Sequence, residues 1–418
     1  MKYPKMVRIR QPFKTTPIED IAGKVRSELS RIKFQKIIAR GETVAITAGS
    51  RGISNLAAIL AEIVRELKRI GAKPFIIPAM GSHGGATAQG QKNILEHYNI
   101  TCKTMGVPIK SSMKVVQVGS TREGLPVYVD RYATQADHIV VVNRVKPHTD
   151  FKGKNESGLM KMMAIGLGKQ KGADLYHNAI VRKGHPAVLM PVAREILKRC
   201  SMAYGVAIVE NQRDETEIIR AITAADIEIE EQKLLRKAKK LFPRIPFDPI
   251  DLLIVDWMGK EISGTGMDQN VIGRSVIPYH RPLTQPDIMR IFVRDLTPDS
   301  EGNATAIGNA DFTTRRLVDK IDPGPTYMNA ATSSCPEAVR IPPYYDSDRE
   351  AIDTALKTIG PVQPQEARIV HILDTLRLEE MYISEPMLDD AKKMDGIKVL
   401  GSPHHLKFDQ KGNLISGF

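Results

Sequence analysis

The sequence predicts an α/β protein of two domains, each a mostly parallel sheet flanked by helices, with the active site in the interdomain cleft. The chain has 418 residues, which is too long for one ordinary hydrophobic core. Short apolar runs alternate with amphipathic helical patterns, as in βαβ units. A charged helix at 225–241 runs into FPRIPFDP, which indicates a linker. The predicted domains are therefore residues 1–243 and 244–418.

The first domain begins its sheet with the apolar run TVAITA at 43–48, followed by a helical pattern from Ser54 and by KPFIIP. Residues 138–142 (HIVVV) and 203–210 (AYGVAIVE) continue this sheet, with a helical pattern before the second of them. The second domain starts with strands at 251–256 (DLLIVD) and 288–296 (IMRIFVRDL). A Gly-rich turn, a helix and a terminal α/β portion complete it.

Composition excludes several classes of protein. Hydrophobic residues make up 42% of the chain, which indicates a packed globular protein. Its three cysteines are scattered singly, which argues against a disulfide scaffold, a structural zinc site or an iron–sulfur cluster and fits the cytoplasm. The sequence contains neither the apolar stretch of a signal peptide nor an apolar run of about 18 residues, so no membrane association is expected.

The net charge of +12 raises the question of nucleic-acid binding. The basic residues are dispersed, however, and the densest run, KLLRKAKK at 233–240, has helical spacing beside an acidic stretch. A solvated helix face explains that run better. Basic groups around an anionic substrate or a nucleotide cofactor account for part of the charge, so nucleic acid is not an expected partner.

Four polar motifs, SRG, GSHGG, KPHTD and SGTGMDQN, each follow a predicted strand directly. In open α/β sheets the loops at the carboxyl ends of strands form the ligand crevice, so these loops are expected to share one site. Arg51 in AGSRG is a candidate anion clamp, because a guanidinium pairs bidentately with carboxylates and phosphates.

Two histidines lie on these loops. His83 projects from the GSHGG turn, and His148 follows Lys146 and Pro147 in the next polar loop. Taken alone, each is explained either by hydrogen bonding to the backbone or by a role as general acid or base. Because histidine transfers protons near neutral pH, the two together indicate an acid/base pair on either side of one substrate.

Lys161 and His177 each allow two interpretations. LMKMMAI is explained either by an amphipathic helix with one exposed lysine, or by a lysine that binds phosphate or carries a covalent cofactor. His177 in ADLYHN is either a helix-face residue or a metal ligand. A metal would need further donors from elsewhere, because one histidine does not make a metal site.

From about residue 43 to about residue 185, these motifs resemble the nickel-pincer-nucleotide-dependent lactate racemase family and its 2-hydroxyacid racemase and epimerase relatives. The spacing between Lys161 and His177 is the most specific feature of the resemblance. The other family positions correspond here to Arg51, the loop Gly81–His83, and the pair Pro147–His148.

The resemblance implies an isomerase that inverts C2 of a 2-hydroxy acid by hydride transfer to a lysine-tethered nickel-pincer nucleotide, a pyridinium-3,5-bisthiocarboxylic acid mononucleotide. In this scheme Lys161 carries the nucleotide, His177 is the protein ligand of nickel, and His83 and His148 are the catalytic acid/base pair. The remaining implied contacts are cofactor binding by Arg51, Ser50 and Gly81, and substrate binding by Arg51, Lys146 and Arg274. The expected partners are a small 2-hydroxy acid and the cofactor-synthesis enzymes, and the isolated protein need not carry the cofactor.

Departures from the family pattern bear on the substrate. Ala48 stands where the family commonly has Asp, and Gly273 stands where Gln is expected, with Arg274 in place of a lysine. These changes favour a larger or more polar 2-hydroxy acid, such as a sugar acid, over lactate. The alternative is a non-catalytic nucleotide- or anion-binding protein on the same scaffold. A conventional metal-dependent hydrolase is disfavoured because HExxH does not occur.

Overall fold

The computed structural model describes residues 1–50, 52–149, 151–276 and 285–418. The β-strands of these residues are, in chain order, β1 (Met6–Arg10), β2 (Thr43–Ala48), β3 (Lys73–Pro78), β4 (Val115–Ser120), β5 (Pro126–Asp130), β6 (His138–Arg144), β7 (Met202–Glu210), β8 (Thr216–Thr223), β9 (Ile250–Met258), β10 (Ile288–Leu296), β11 (Thr313–Thr314), β12 (Tyr344–Tyr345), β13 (Ile369–Ile372), β14 (Glu380–Ser384) and β15 (Lys398–His404).

The α-helices of the same residues are α1 (Ile21–Arg31), α2 (Leu56–Arg69), α3 (Ala88–His97), α4 (Cys102–Met105), α5 (Arg131–Thr134), α6 (Leu159–Lys161), α7 (Lys169–Lys183), α8 (His185–Arg199), α9 (Ile227–Lys240), α10 (Gln269–Ile272), α11 (Arg315–Val318), α12 (Pro323–Thr332), α13 (Asp348–Lys357) and α14 (Leu388–Lys393). Across the part of the chain that the structure describes, no helix has the length and apolar character needed to cross a membrane.

The chain forms two compact units. Residues Thr15–Phe242 form one unit, and Met1–Lys14 together with Pro243–Phe418 form the other. The first 14 residues, which the sequence prediction grouped with the N-terminal domain, therefore pack with the C-terminal residues. Strand β1 explains this arrangement, since it pairs antiparallel with β14 on one side and with β15 on the other.

The unit at residues 15–242 is built on a five-stranded sheet in the order β3-β2-β6-β7-β8. The pairings of β2 with β3, β2 with β6, and β6 with β7 are parallel, and β8 joins the edge antiparallel to β7. The α/β class and the parallel sheet expected from the sequence are confirmed. The structure adds the antiparallel edge strand β8 and the hairpin of β4 and β5.

Both faces of this sheet are buried. Along β6, Ile139 and Val141 belong to one hydrophobic cluster, while Val140 and Val142 belong to the cluster on the other face. Side chains alternate between the two faces of a strand, so a continuous apolar run fits a strand covered by helices on both sides. Because helices cover both faces, a ligand reaches this sheet at the ends of its strands.

The other unit contains a six-stranded mixed sheet in the order β10-β9-β13-β14-β1-β15. Strands β10, β9 and β13 are parallel to one another, and β14 pairs antiparallel with β13. Buried Arg294 on β10 is paired with the carboxylates of Asp256 and Asp348, at 2.5 and 2.8 Å. Two partners of opposite charge offset the cost of removing the guanidinium from water.

Helix α9 differs from the sequence interpretation in one respect. Most of its basic side chains are exposed, as expected, but the helix packs into the unit at 15–242 through a buried stripe. The buried members of this stripe are Ile227, Glu231, Leu234, Leu235 and Ala238. The spacing of these residues is that of one helix face, so α9 is a core helix of this unit as well as the last element before the second unit.

Candidate active site

Three of the polar loops extend from neighbouring parallel strands of the first unit. The loops after β2, β3 and β6 carry Ser50, His83 and His148 respectively. Parallel neighbours end at the same edge of a sheet, so these side chains start from one edge. Ser50 Oγ is hydrogen-bonded to His83 Nδ1, which joins the first two loops. Arg51, the predicted anion clamp, lies outside the described residues.

The conformation of the GSHGG loop depends on its glycines. Gly81 and Gly84 have φ of +58° and +68°, in the left-handed region that glycine adopts most readily. A Cβ at Gly84 would lie 2.6 Å from the backbone nitrogen of Gln91, so the loop packs against the start of α3. Gln91 Nε2 donates to the carbonyl oxygens of Gly81 at 2.9 Å and His83 at 3.2 Å. These contacts hold the exposed side chain of His83 on an ordered turn.

The KPH loop is folded around the carboxylate of Glu156. Glu156 Oε2 accepts a hydrogen bond from the backbone nitrogen of His148 at 2.8 Å, and Oε1 accepts one from Gly153 N at 3.1 Å. The carboxylate also pairs with Lys239 Nζ at 2.6 Å. His148 itself is buried, with 6% of its surface exposed, whereas Lys146 is half-buried.

Lys161 lies at the end of the three-residue helix α6 and is followed by a π-helical turn at Met162–Gly166. Single π-helical turns occur frequently at functional sites. Lys161 Nζ is hydrogen-bonded to His148 Nε2. Because an ammonium group can only donate, a charged Lys161 requires the His148 Nε2 atom to be an acceptor. The structure therefore brings together two of the residues that the sequence singled out.

The π-helical turn also contacts the other two loops. A Cβ at Gly49 would come within 3.2 Å of Met162 Cε, and one at Gly81 within 3.1 Å of Ile165 Cγ2. A side chain at either glycine would require Met162 or Ile165 to shift slightly, so both glycines allow close packing. Ser50, His83, His148 and the Lys161 segment thus form one cluster within the unit at 15–242.

His177 lies on α7, the helix that follows the π-helical turn, and it is half-buried. Among residues 1–50, 52–149, 151–276 and 285–418, no group of three or more His, Cys, Asp and Glu side chains is arranged to hold a metal ion. Arg274 belongs to the other unit. Its guanidinium pairs with Asp311 Oδ2 at 2.6 Å and donates to the carbonyl oxygens of Asn309 and Ile288.

The structure shows an aromatic group beside His148 that sequence reasoning missed. Phe151 and His185 are stacked with ring centroids 4.2 Å apart, and His148 lies 4.4 Å from Phe151 and 5.4 Å from His185. His185 is the first residue of α8 and is buried. Helix α6, the π-helical turn and helix α7 separate His148 from His185 along the chain, so no local pattern indicated their proximity.

A second missed feature is Lys169, which has no exposed surface. Its Nζ donates to Pro78 O at 2.6 Å and to Gln91 Oε1 at 2.7 Å, and lies 3.4 Å from Asp130 Oδ2. Burial lowers the pKa of the Lys169 amine and raises the pKa of the Asp130 carboxyl, while their mutual attraction acts in the opposite direction on each. Through Gln91, this network supports the backbone of the His83 loop.

Glu231 on α9 is a third missed residue. It has no exposed surface, and it accepts hydrogen bonds from Asn155 Nδ2 at 2.8 Å and from Met160 N at 2.9 Å. Burial raises the pKa of Glu231 to about 7, although these hydrogen bonds act to lower it. The helical spacing of Ile227, Glu231 and Leu234 is the sequence signal that could have shown Glu231 to lie on the buried face.

This pKa predicts a pH dependence of stability. The folded-state pKa of Glu231, about 7, lies above its ordinary value of 4.5. The contribution of Glu231 to the stability of the folded state is therefore fully present below about pH 4.5, and it is lost as the pH rises through about 7. We expect the free energy of unfolding of the wild type, relative to that of Glu231→Gln, to fall by about 2 to 3 kcal/mol between pH 5 and pH 9. Urea denaturation of both proteins at several pH values measures this difference in the free energy of unfolding. A difference that does not change with pH would contradict the raised pKa of Glu231.

Comparison with known proteins identifies the N-terminal region. Residues 5–187 match the family model described as the lactate racemase N-terminal domain. This match confirms, for that region, the resemblance indicated by the motifs. A search of the curated proteins finds no match to the chain.

Two solved structures are similar to the chain. The lactate racemase apoprotein from Thermoanaerobacterium thermosaccharolyticum is 12% identical, with a TM-score of 0.50 over 88% of this chain and 98% of that one. A structural-genomics protein from Thermotoga maritima is also 12% identical, with a TM-score of 0.48 over 76% of this chain and 82% of that one. At this level of identity, the first similarity establishes a shared fold.

Proposed function

We propose that this chain, with a lactate racemase N-terminal domain at residues 5–187, is a racemase or epimerase that inverts C2 of a 2-hydroxy acid with a lysine-tethered nickel-pincer nucleotide. The observation that carries the proposal is the hydrogen bond between Lys161 and His148, because it places the proposed attachment amine beside a proposed acid/base group. The hydrogen bond between Ser50 and His83 supports the proposal that His83, whose loop starts from the same edge of the sheet, is the second acid/base group.

The residues of the cluster fit such a cofactor. Lys161 provides a primary amine that is partly exposed, and His177 provides an imidazole on the helix that follows the same turn. One histidine is a sufficient protein ligand when the cofactor supplies the other donors of the metal. Gly49 and Gly81 leave no side chain between the loops and the Met162–Gly166 turn, which allows the loops to pack closely against the segment that carries Lys161. Lys161 and His177 would hold the group.

When bound, the nickel-pincer nucleotide supplies a hydride acceptor for the hydrogen on C2. The protein residues move the hydroxyl proton. One of His83 and His148 accepts this proton as the planar 2-keto acid forms, and the other returns a proton when the opposite stereoisomer forms. Ser50 fixes the ring orientation of His83 through Nδ1, which assigns the proton transfer to Nε2 of that ring.

Three basic residues are the proposed contacts for an anionic substrate. Lys146 precedes the His148 loop, and Arg51 and Arg274 are the other proposed contacts for the substrate carboxylate, because a guanidinium binds carboxylates bidentately. The departures at Ala48 and Gly273 favour a larger or more polar acid than lactate, such as a sugar acid. We place the reaction in the cytoplasm, with the cofactor supplied by separate synthesis enzymes.

A stereochemical assay tests the proposal. The protein, produced together with the cofactor-synthesis enzymes, is incubated in D₂O with single stereoisomers of lactate, malate, glycerate and sugar acids. We expect inversion of one acid, detected by chiral chromatography, with the original hydrogen retained at C2 because the hydride returns from the cofactor. Deuterium at C2 would contradict hydride transfer. Binding of the acids without inversion by cofactor-loaded protein would favour the non-catalytic alternative.

A further inference from the structure

Helix α9 contributes a side chain to each of the two segments that carry Lys161 and His148. Glu231 contacts the segment that ends at Lys161, and Lys239 contacts Glu156 in the loop of His148. The two contacts come from one helix, so the positions of the two segments are coupled. Neither Glu231 nor Glu156 is required by the proposed chemistry, yet both are buried, with 0% and 2% of their surfaces exposed.

The contacts of Glu231 are concentrated at the start of α6. Its Oε2 accepts from Met160 N at 2.9 Å, and a further backbone hydrogen bond comes from Leu159. Asn155 Nδ2 donates to Oε1 at 2.8 Å. A carboxylate at this position satisfies the N–H groups that begin a helical turn and have no partner within it. Lys161 directly follows Met160 in the chain.

Gly158 shows how closely Glu231 approaches this turn. A Cβ at Gly158 would lie 2.4 Å from Glu231 Oε2, so any side chain there would displace the carboxylate. On its other side, the Gly158 carbonyl oxygen accepts from Asn143 Nδ2 at 2.9 Å, next to the end of β6. The start of the Lys161 segment is therefore fixed both to the sheet and to α9.

Glu156 binds the backbone of the His148 loop in the same way that Glu231 binds the backbone before Lys161. Its carboxylate binds the backbone nitrogens of His148 and Gly153, and Lys239 balances its charge at 2.6 Å. Removing a carboxylate from water costs free energy, and an apolar side chain of similar size would avoid that cost. The carboxylates instead fix the orientation of the backbone, because each accepts hydrogen bonds from specific backbone N–H groups.

We propose that Glu231 and Glu156 are positioning residues, with Glu231 setting the place of the Lys161 amine and Glu156 setting the place of the His148 ring. The proposal rests on the proposed function, in which these two groups attach the cofactor and transfer a proton. It assigns α9 a role in the reaction although none of the proposed catalytic or binding groups lies on α9.

Chemical labelling of the cofactor-free protein tests the proposal at about pH 8, where Glu231 is ionised. Acetylation of Lys161 is measured by mass spectrometry relative to that of exposed Lys183, and carbethoxylation of His148 is measured in parallel. Hydrogen bonds to charged groups typically shift a local equilibrium by about tenfold or more. We expect Glu231→Gln to change the relative labelling of Lys161, and Glu156→Gln that of His148, by about tenfold.

Glu62→Gln is the matched control. Glu62 is 1% exposed and is paired with Arg26 at 3.1 Å, but it lies on α2, away from the Lys161 segment. The control is expected to leave both labelling rates within about twofold of the wild type. If Glu231→Gln does not fold, Glu231→Asp keeps the charge and retracts it by one methylene. Unchanged labelling of Lys161 in the folded Glu231 variant, or an equal change in Glu62→Gln, would overturn the proposal.

Cofactor loading separates this proposal from the proposed function. In protein produced with the cofactor-synthesis enzymes, we expect Glu231→Gln to lower the fraction of chains modified at Lys161. Glu156→Gln is expected to keep the modification and to lower kcat more than it changes KM. If the wild type itself takes up no cofactor, the proposed function fails, and the labelling results still decide whether the two carboxylates position Lys161 and His148.

Discussion

Replacement of Lys169 by methionine is expected to lower the free energy of unfolding by about 3 to 5 kcal/mol, because it leaves the buried Asp130 carboxylate without its cation. The substitution also removes the donor to Pro78 O and Gln91 Oε1. Methionine has a side chain of similar length, so the loss reports on the charge and its hydrogen bonds. Urea unfolding followed by circular dichroism measures the change.

Two further variants make the Lys169 prediction specific. The double variant Lys169→Met/Asp130→Asn removes both charges and is expected to recover part of the loss, since a neutral amide is less costly to bury than an unpaired carboxylate. Lys171→Met replaces an exposed lysine two positions away, whose Nζ lies 4.4 Å from the centre of the Tyr128 ring, and is expected to change stability by about 1 kcal/mol or less. A Lys169→Met variant as stable as Lys171→Met would show that the buried pair is not important for the fold.

The second large effect concerns the proposed acid/base pair. In cofactor-loaded protein, His83→Ala and His148→Ala are each expected to lower the rate of epimerisation by about 10²- to 10⁴-fold, the usual contribution of a positioned proton-transfer group. The modification of Lys161 is expected to persist in both variants, because neither histidine is the attachment point. Intact-mass measurement reports the modification, and chiral chromatography reports the rate.

His97→Ala is a suitable control for the two histidine variants. His97 is exposed at the end of α3 and has no role in the proposed chemistry, so wild-type turnover is expected. Wild-type turnover in both His83→Ala and His148→Ala would contradict the acid/base assignment. Loss of the Lys161 modification in His148→Ala would instead show that the contact between His148 and Lys161 is needed for attachment.

The strands of the first unit could be predicted because their signal is local. Residues 43–48 and 138–142 form continuous apolar runs, as expected for strands of a parallel sheet that is covered on both faces. By contrast, β1 pairs with strands near the opposite end of the chain, and its sequence, MVRIR, is too short and too basic to stand out. Pairings between residues distant in sequence leave no periodic pattern to detect.

The candidate site was predictable to a similar extent. His83, His148 and Lys161 could be singled out because glycine-rich loops after strands indicate ligand sites, and a family resemblance connected them. The burial of Lys169 could not be predicted, because lysine on helices is exposed in most cases. Helical spacing indicates the buried face for Glu231, but it does not indicate which groups surround Glu231 or Lys169. Their burial depends on partners, Asp130 and Asn155, that the fold brings close from other elements.

The most direct test of the account is the mass of Lys161 after production of the protein with the cofactor-synthesis enzymes. We expect intact-mass and peptide mass spectrometry to show a nucleotide adduct on Lys161, with nickel present in the same sample by elemental analysis. Lys161→Arg keeps the positive charge but removes the primary amine, so it is expected to carry no adduct. Wild-type protein with neither adduct nor nickel under these conditions would contradict the proposed function.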